Sequence, residues 1–362
     1  MDHSSDGSLT HFKNTYYRYL SKKVTFVIVC IVVSMIAIGL ELSMGAYEIG
    51  FIDSYKALVD HILGNVPPEE LGKGTDQIVW DIRFPRAIAG FAVGAGLGVC
   101  GAAMQSSMKN PLADPYTTGI SAGASFGAAL AIILGFSFLP GAFGDTAIVI
   151  NAFVFSLIPA AMIVIISTFK KDVSPATMIL IGIAVMYFFT AATTFMKLTA
   201  SEESLSEIYV WNIGTLGKST WDNIWFQVSA AIVGVVAIML LSKKLNILAM
   251  CDKDAVSLGV NAKRIRLLSL IVVSLVTATL VSFTGTIGFI GLVAPHVARI
   301  FLGSDNKYLI PASAAFGAML LLCSDCAAKC IGTGLPVGVI TAVIGGPLFL
   351  YMLIKQAKKY SW

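Results

Sequence analysis

Nine stretches of the chain contain no Asp, Glu, Lys or Arg: Val24–Leu40, Ala87–Met108, Thr117–Gly144, Thr146–Phe169, Ala176–Met196, Asn223–Ser242, Leu267–Ala298, Tyr308–Ser324 and Cys330–Ile354. Most reach the roughly 20 residues that a helix needs to cross a bilayer. Leu267–Ala298 is too long for one crossing, since its 32 residues would make a helix of about 48 Å. Gly285, Gly288 and Gly291 interrupt it and Pro295 follows, so the pattern predicts a break near Thr284–Gly285. The products are a full span and a shorter, broken helix. The expected fold is an all-α polytopic membrane protein with about ten transmembrane helices and both termini on one side.

Composition agrees. Hydrophobic residues make up 56% of the chain and charged residues 13%, about half the charged share of a soluble domain. No polar segment is long enough for a soluble domain. Of the 25 Lys and Arg, 18 fall in segments that lie inside if the N-terminus is inside. The other seven are Lys56, Lys73, Arg83, Arg86, Lys197, Lys218 and Lys329. This bias predicts an N-in, C-in orientation. It divides the chain into a cytoplasmic segment, 1–23, and a transmembrane domain, 24–362. Residues 1–23 are polar and Val24–Leu40 is unlike a signal's apolar region, so no cleavable secretory signal is expected. The net charge of +4 comes from the inner loops and gives no reason to invoke nucleic acid.

Several motifs point to chemistry the chain does not support. Asn212-Ile-Gly-Thr-Leu-Gly-Lys-Ser219 approaches a phosphate-binding loop, but Asn212 replaces the first glycine and no strand precedes it. Cys323, Cys326 and Cys330 have a suggestive spacing, yet no His lies nearby in sequence to complete a metal site. His3, His11, His61 and His296 form no pair at ligand spacing. No cofactor or metal site is implied, and no catalytic cluster can be assembled. Glu41 and Asp325 are the only acidic residues close to membrane depth, both toward outer helix ends. An ion-coupled secondary transporter would place a charged relay nearer the midplane. Gly98–Gly101 and Gly288–Gly291 echo one another at an offset of 190. Close helix approach through small residues explains the echo more simply than a duplicated half.

Three stretches then carry a resemblance: residues 83–115, "RFPRAIAGFAVGAGLGVCGAAMQSSMKNPLADP"; 285–311, "GTIGFIGLVAPHVARIFLGSDNKYLIP"; and 335–353, "LPVGVITAVIGGPLFLYML". They resemble FecCD-type permeases, the membrane subunits of ATP-binding-cassette importers for iron chelates, haem and vitamin B12. The similarity runs from about residue 24 to the end. It implies a homodimer served by two ATPase subunits and an extracytoplasmic substrate-binding protein, with ATP hydrolysis on the separate subunit. An iron chelate is the expected cargo, with haem, cobalamin or molybdate as alternatives.

The resemblance also assigns residues. The inner loop of about 244–263, with Asp252, Ala255, Leu258 and Gly259, is expected to dock on the ATPase. Ser174, Pro175, Ala176 and Thr177, between the fourth and fifth spans, are expected to form the cytoplasmic gate. Arg83, Arg86 and Lys329 are expected to meet acidic residues of the binding protein. Without the resemblance, the same three cations could as well be snorkelling to lipid headgroups.

Overall fold

The computed structural model describes residues 3–67, 69–170, 173–249, 252–332 and 334–360, with side chains except at 3–20, 252–254, 352–353 and 355–360. Regular structure among these residues is entirely helical. The first half runs α1 (His3–Ser43), α2 (Phe51–Leu63), α3 (Gly74–Gln77), α4 (Phe84–Ser107), α5 (Ile120–Leu134), α6 (Gly144–Phe169) and α7 (Pro175–Lys197). The second half runs α8 (Glu202–Ile213), α9 (Trp221–Ala249), α10 (Asp252–Ser257), α11 (Ala262–Thr284), α12 (Ile290–Leu302), α13 (Asn306–Ile331) and α14 (Val337–Tyr360).

Among the described residues, seven segments are long and apolar enough to cross a membrane: α1 from Ser21, the run Gly74–Ser107, α6, α7, α9, α11 and α13. Shorter apolar helices, α5, α12 and the Val337–Tyr351 part of α14, account for the remaining charge-free blocks. The expected break in the long block is present: α11 stops at Thr284 and α12 starts at Ile290.

Contacts sort the helix ends into two groups. At the basic end, Lys263 Nζ donates to Lys170 O, Arg266 Nε donates to Ser107 O, and Asn246 Nδ2 donates to Asp305 Oδ1. Lys23 there lies 3.6 Å above the Tyr308 ring. At the opposite end, Trp221 Nε1 donates to Trp80 O, and Thr215 N donates to Thr284 O. Lys218 there pairs with Asp145 at 2.7 Å. The charge asymmetry of the sequence is therefore an asymmetry of the folded bundle.

The bundle is organised around α4. It is buried along almost its whole length, against α13, α9, α12 and α11. Its sequence explains how, because glycine and alanine fill the positions that larger residues occupy in other spans. A Cβ at Gly94 would lie 2.4 Å from Gly317 O, one at Gly98 2.2 Å from Ser313 O, and one at Gly101 1.7 Å from Gly291 O. Such backbone-to-backbone approach is how helices gain packing energy in lipid, where hydrophobic burial between them is not available. Three of the four echoed glycines serve close packing, since Gly98 receives the backbone of α13 and Gly101 that of α12 at Gly291, whereas Gly288 has open space beside it.

The entry to α4 departs from ordinary helix. Residues Ile78–Arg83 form a π-helical turn, in which the Phe84 N–H bonds Val79 O. In that register Trp80 O would next receive the N–H of residue 85. Residue 85 is proline and has none. The Trp221 indole fills the vacancy, its Nε1 2.9 Å from Trp80 O. Trp80 in turn stacks between His61 and Trp221, with ring centroids at 4.0 and 4.7 Å.

The α4 contacts generate a test. Gly101→Val should abolish correct folding, because backbone of α12 occupies the space and cannot give way. Gly288→Ala should be tolerated, since a Cβ there meets nothing within 4 Å. Size-exclusion profiles of detergent-extracted protein measure both: aggregation of the first and a monodisperse peak for the second are expected.

Candidate functional site

The break between α11 and α12 leaves residues 285–289 outside both helices: Gly285 N still bonds Val281 O and Phe289 O accepts from Val293 N, but the chain between them is unwound. Unwound backbone is tolerated at membrane depth only where protein buries it or where it lines a watery cavity. Both occur. On one side, Gly285 packs so closely on Trp211 O that a Cβ would sit 2.1 Å away, and Thr286 Oγ1 donates to Asn212 O. Tyr116 Oη donates to Ile287 O at 3.0 Å. On the other side lies a cavity of about 590 Å³, lined by Thr286, Gly288 and Phe289 together with α5, α7, the end of α8 and the start of α14. Its polar groups are Tyr116, Ser121, Ser125, Thr190, Asn212 and Thr286, and no charged side chain lines it. Phe289 holds a φ of 69° to start α12, an outlier for an aromatic residue, and its ring is pressed against Gly345.

The three cations expected to meet a binding protein come together at the end opposite the basic one. Arg83, Arg86 and Lys329 all line one pocket of about 310 Å³, roofed by 44–47 and Ile78 and Ile82. The π turn sets this up, since it ends at Arg83 and aims that side chain back under α1. Arg83 Nη1 donates to Leu42 O at 2.6 Å and Ser43 O at 2.8 Å, and Nη2 donates to Tyr47 O. Arg86 grips Asp325 with a two-pronged pair, both N···O distances 2.7 Å. Lys329, one helical turn beyond Asp325, pairs with Glu41 of α1. The cations are therefore turned into the protein as well as toward the pocket. Two carboxylates face three cations, and the buried guanidinium of Arg83 has carbonyls rather than a carboxylate as hydrogen-bond partners. Arg83 is the one of the three cations without a carboxylate among its hydrogen-bond partners.

The inner residues stand apart from both. Ser174 caps α7, its Oγ accepting from Thr177 N at 3.1 Å, and Pro175 occupies the first turn where its missing N–H costs nothing. Ser174, Ala176 and Thr177 are exposed. In the 244–263 loop, Ala255 is fully buried against Leu248, Ala262 and Ile265, while Val256 and Leu258 point outward. Gly259, with φ 74°, closes the short helix and lets Val260 N bond Ala255 O at 2.9 Å. For Asp252 the backbone alone is described, as the first residue of α10. Met250 and Cys251, also within the loop, lie outside the described residues.

The misleading motifs find structural roles. Asn212–Ser219 begins inside the last turn of α8, not after a strand, and its Lys218 pairs with Asp145. Cys326 is buried with Sγ 3.4 Å from Ala37 O, while Cys323 and Cys330 are exposed on α13. The glycine break announced the unwound stretch. The cavity's other walls, on α5, α7 and α14, come from separate blocks that no spacing in the sequence connects.

The buried pairs predict a specific non-additivity. Lys329→Met strands Glu41 in the bundle and should cost about 3–5 kcal/mol of stability. Adding Glu41→Leu removes the stranded charge and should recover most of that loss. Thermal unfolding of the purified protein in detergent measures both variants.

The pattern of the FecCD transport family matches residues 29–355. An ABC transporter permease protein of Methanocaldococcus jannaschii is 37% identical over 358 residues, covering 95% of this chain and 98% of that one. The cobalamin import system permease protein BtuC of Halobacterium salinarum is 38% identical over 280 residues, 76% of this chain and 73% of that one. A solved metal-chelate type ABC transporter in an inward-facing conformation superposes with a TM-score of 0.77 at 25% identity, covering 92% of this chain and 99% of that one. A broken-helix bundle with an uncharged cavity and a match over nine-tenths of its length place the chain as a multi-pass membrane permease of the FecCD transport family.

Proposed function

We propose that this permease carries a metal chelate, an iron chelate first, across the cytoplasmic membrane by ATP-driven alternating access. The observation that carries the reading is the unwound stretch 285–289 lining a neutral, hydroxyl-rich cavity. A bare oxyanion such as molybdate would call for cations in that lining. A bulky chelate hides its metal's charge and needs apolar walls with scattered hydrogen-bond groups. Cobalamin shares those properties, and the likeness to a cobalamin permease keeps it as the second reading. An ion-coupled carrier has less support: the buried carboxylates Glu41 and Asp325 are engaged by Lys329 and Arg86 at one end of the bundle, and buried Asp114, nearer the cavity, caps the turn at Tyr116 by accepting from its N–H.

In this reading the protein works as a homodimer with about ten spans per copy, termini inside. Much of α7 facing away from the chain's own core is apolar and exposed, including Leu180, Tyr187, Phe188 and Phe195, and α7 walls the cavity. A second copy would close the cavity there. Hydrolysis belongs to two separate ATPase subunits, which seat α10 with its outward Val256 and, in the turn after it, Leu258. The gate is Ser174–Thr177. An extracytoplasmic binding protein offers a carboxylate to the pocket of Arg83, Arg86 and Lys329. Its attraction is to Arg83, the cation without a carboxylate partner, which steers encounter and fixes register.

Binding of ferric siderophores and of cobalamin to the partner binding protein, followed by uptake into proteoliposomes, tests the cargo. Uptake of the ferric chelate is expected, and uptake of cobalamin alone transfers the assignment to the second reading. Leu258→Asp should uncouple ATP hydrolysis from uptake while leaving the permease folded, because the side chain is exposed; unimpaired transport removes α10 from the ATPase contact. A cysteine introduced by Ala176→Cys should crosslink two copies in the resting state, and failure under every nucleotide condition argues against the gate. Arg83→Gln removes from the outer pocket the cation that lacks a carboxylate partner. Association with the binding protein should weaken several-fold at low salt and less at high salt; unchanged association at low salt leaves Arg83 as an internal clamp.

A further inference from the structure

At the basic end, a groove of about 350 Å³ runs between the end of α6 and the start of α11. Thr168, Asn261, Lys263, Arg264, Leu267 and Ile271 are among its walls. Two features distinguish it from an ordinary loop crevice. Its mouth is cationic: Lys263 reaches across to α6, its Nζ 3.0 Å from Lys170 O, and Arg264 is exposed beside it. Its floor is apolar and continues along the bundle's outer face. Arg264, Leu268, Ile271 and Leu275 recur at helical spacing on one side of α11, and all four are exposed. On α6, Met162, Ile165 and Phe169 are exposed at helical spacing, and Thr168 of the same helix end lines the groove. Such stripes on a membrane protein face acyl chains. The two cations therefore stand where those chains end and headgroups begin.

We propose that this groove binds an anionic phospholipid of the cytoplasmic leaflet. Lys263 and Arg264 take the phosphate, and Leu267, Leu268 and Ile271 take the upper part of one acyl chain. Charge selects the occupant: two neighbouring cations at headgroup depth favour an anionic lipid over a zwitterionic one. Asn261 caps the first turn of α11 by accepting from Arg264 N at 2.9 Å, which fixes the backbone from which both cations project. The site adjoins the α10 loop, because residues 258–261 connect the two helices. A bound headgroup would stiffen the joint through which α10 is attached to the bundle.

The test uses the full-length permease in mild detergent, exchanged against phosphatidylglycerol or phosphatidylcholine and examined by native mass spectrometry. Wild type should retain phosphatidylglycerol in preference to phosphatidylcholine, and the K263Q/R264Q variant should lose that preference by on the order of tenfold. An unchanged melting temperature shows that the variant is folded. Equal retention of phosphatidylglycerol by wild type and variant overturns the proposal. So does release of the lipid by millimolar inorganic phosphate, which would mark a site for free anions. Loss of ATPase association in the variant with lipid retention unchanged assigns the groove to the ATPase instead.

Discussion

Everything in this bundle hangs on how closely α4 can approach its neighbours. Carbonyl oxygens of Gly291, Ser313 and Gly317 stand where side chains of Gly101, Gly98 and Gly94 would otherwise be. With α4 held that tightly against α13 and α12, the remaining spans must arrange themselves as an outer layer. That layer is where large apolar residues face lipid, and where α7 and α14 leave room for a cavity. The same approach fixes α12 by its first turn, at Gly291. The chain between Thr284 and Ile290 has no choice but to cross the gap unwound.

The charges at the end opposite the basic one answer a second constraint. A cation count assigns Arg83, Arg86 and Lys329 to the sparsely basic side and suggests surface residues. In the fold each is tied to a different partner: Arg83 to α1 carbonyls, Arg86 to Asp325 of α13, Lys329 to Glu41 of α1. Together they lash α1, α4 and α13 where glycine contacts alone would leave the helix ends free to splay. Two exposed ion pairs would add little. These are buried, and breaking one leaves an unpaired charge in a medium that cannot solvate it.

Much of this was legible in the chain, and the boundary is physical. Charge-free blocks, the Gly285–Gly291 interruption and the basic asymmetry depend on local composition, so helices, break and polarity could be read directly. Gly259 as the stop of α10 followed from conformation alone. The π turn did not, because it depends on Pro85 and on Trp221, which lies 136 residues further along. The burial of Arg83 could not be read for the same reason: its acceptors are carbonyls at 42–47, and a carbonyl leaves no trace in the amino-acid code. The cavity is the extreme case, since its walls are drawn from five separated parts of the chain.

The arrangement of α11 joins these pieces into one mechanical element. Its N-terminal end is tied to α10 through residues 258–261, with Ala255, Ala262 and Ile265 in one apolar cluster. Its body of 23 residues is unbroken helix, about 35 Å long. Its C-terminal end is Thr284, whose carbonyl is bonded by Thr215 N just before the unwound stretch begins. A helix of that length transmits displacement along its axis far better than the loops beside it. Residues 286–288 lie between the last bond of α11, Gly285 N to Val281 O, and the first of α12, Val293 N to Phe289 O, so movement arriving there is absorbed where Thr286, Gly288 and Phe289 face the cavity. The rigid part and the compliant part are adjacent in sequence. The compliant part is the one that lines the cavity.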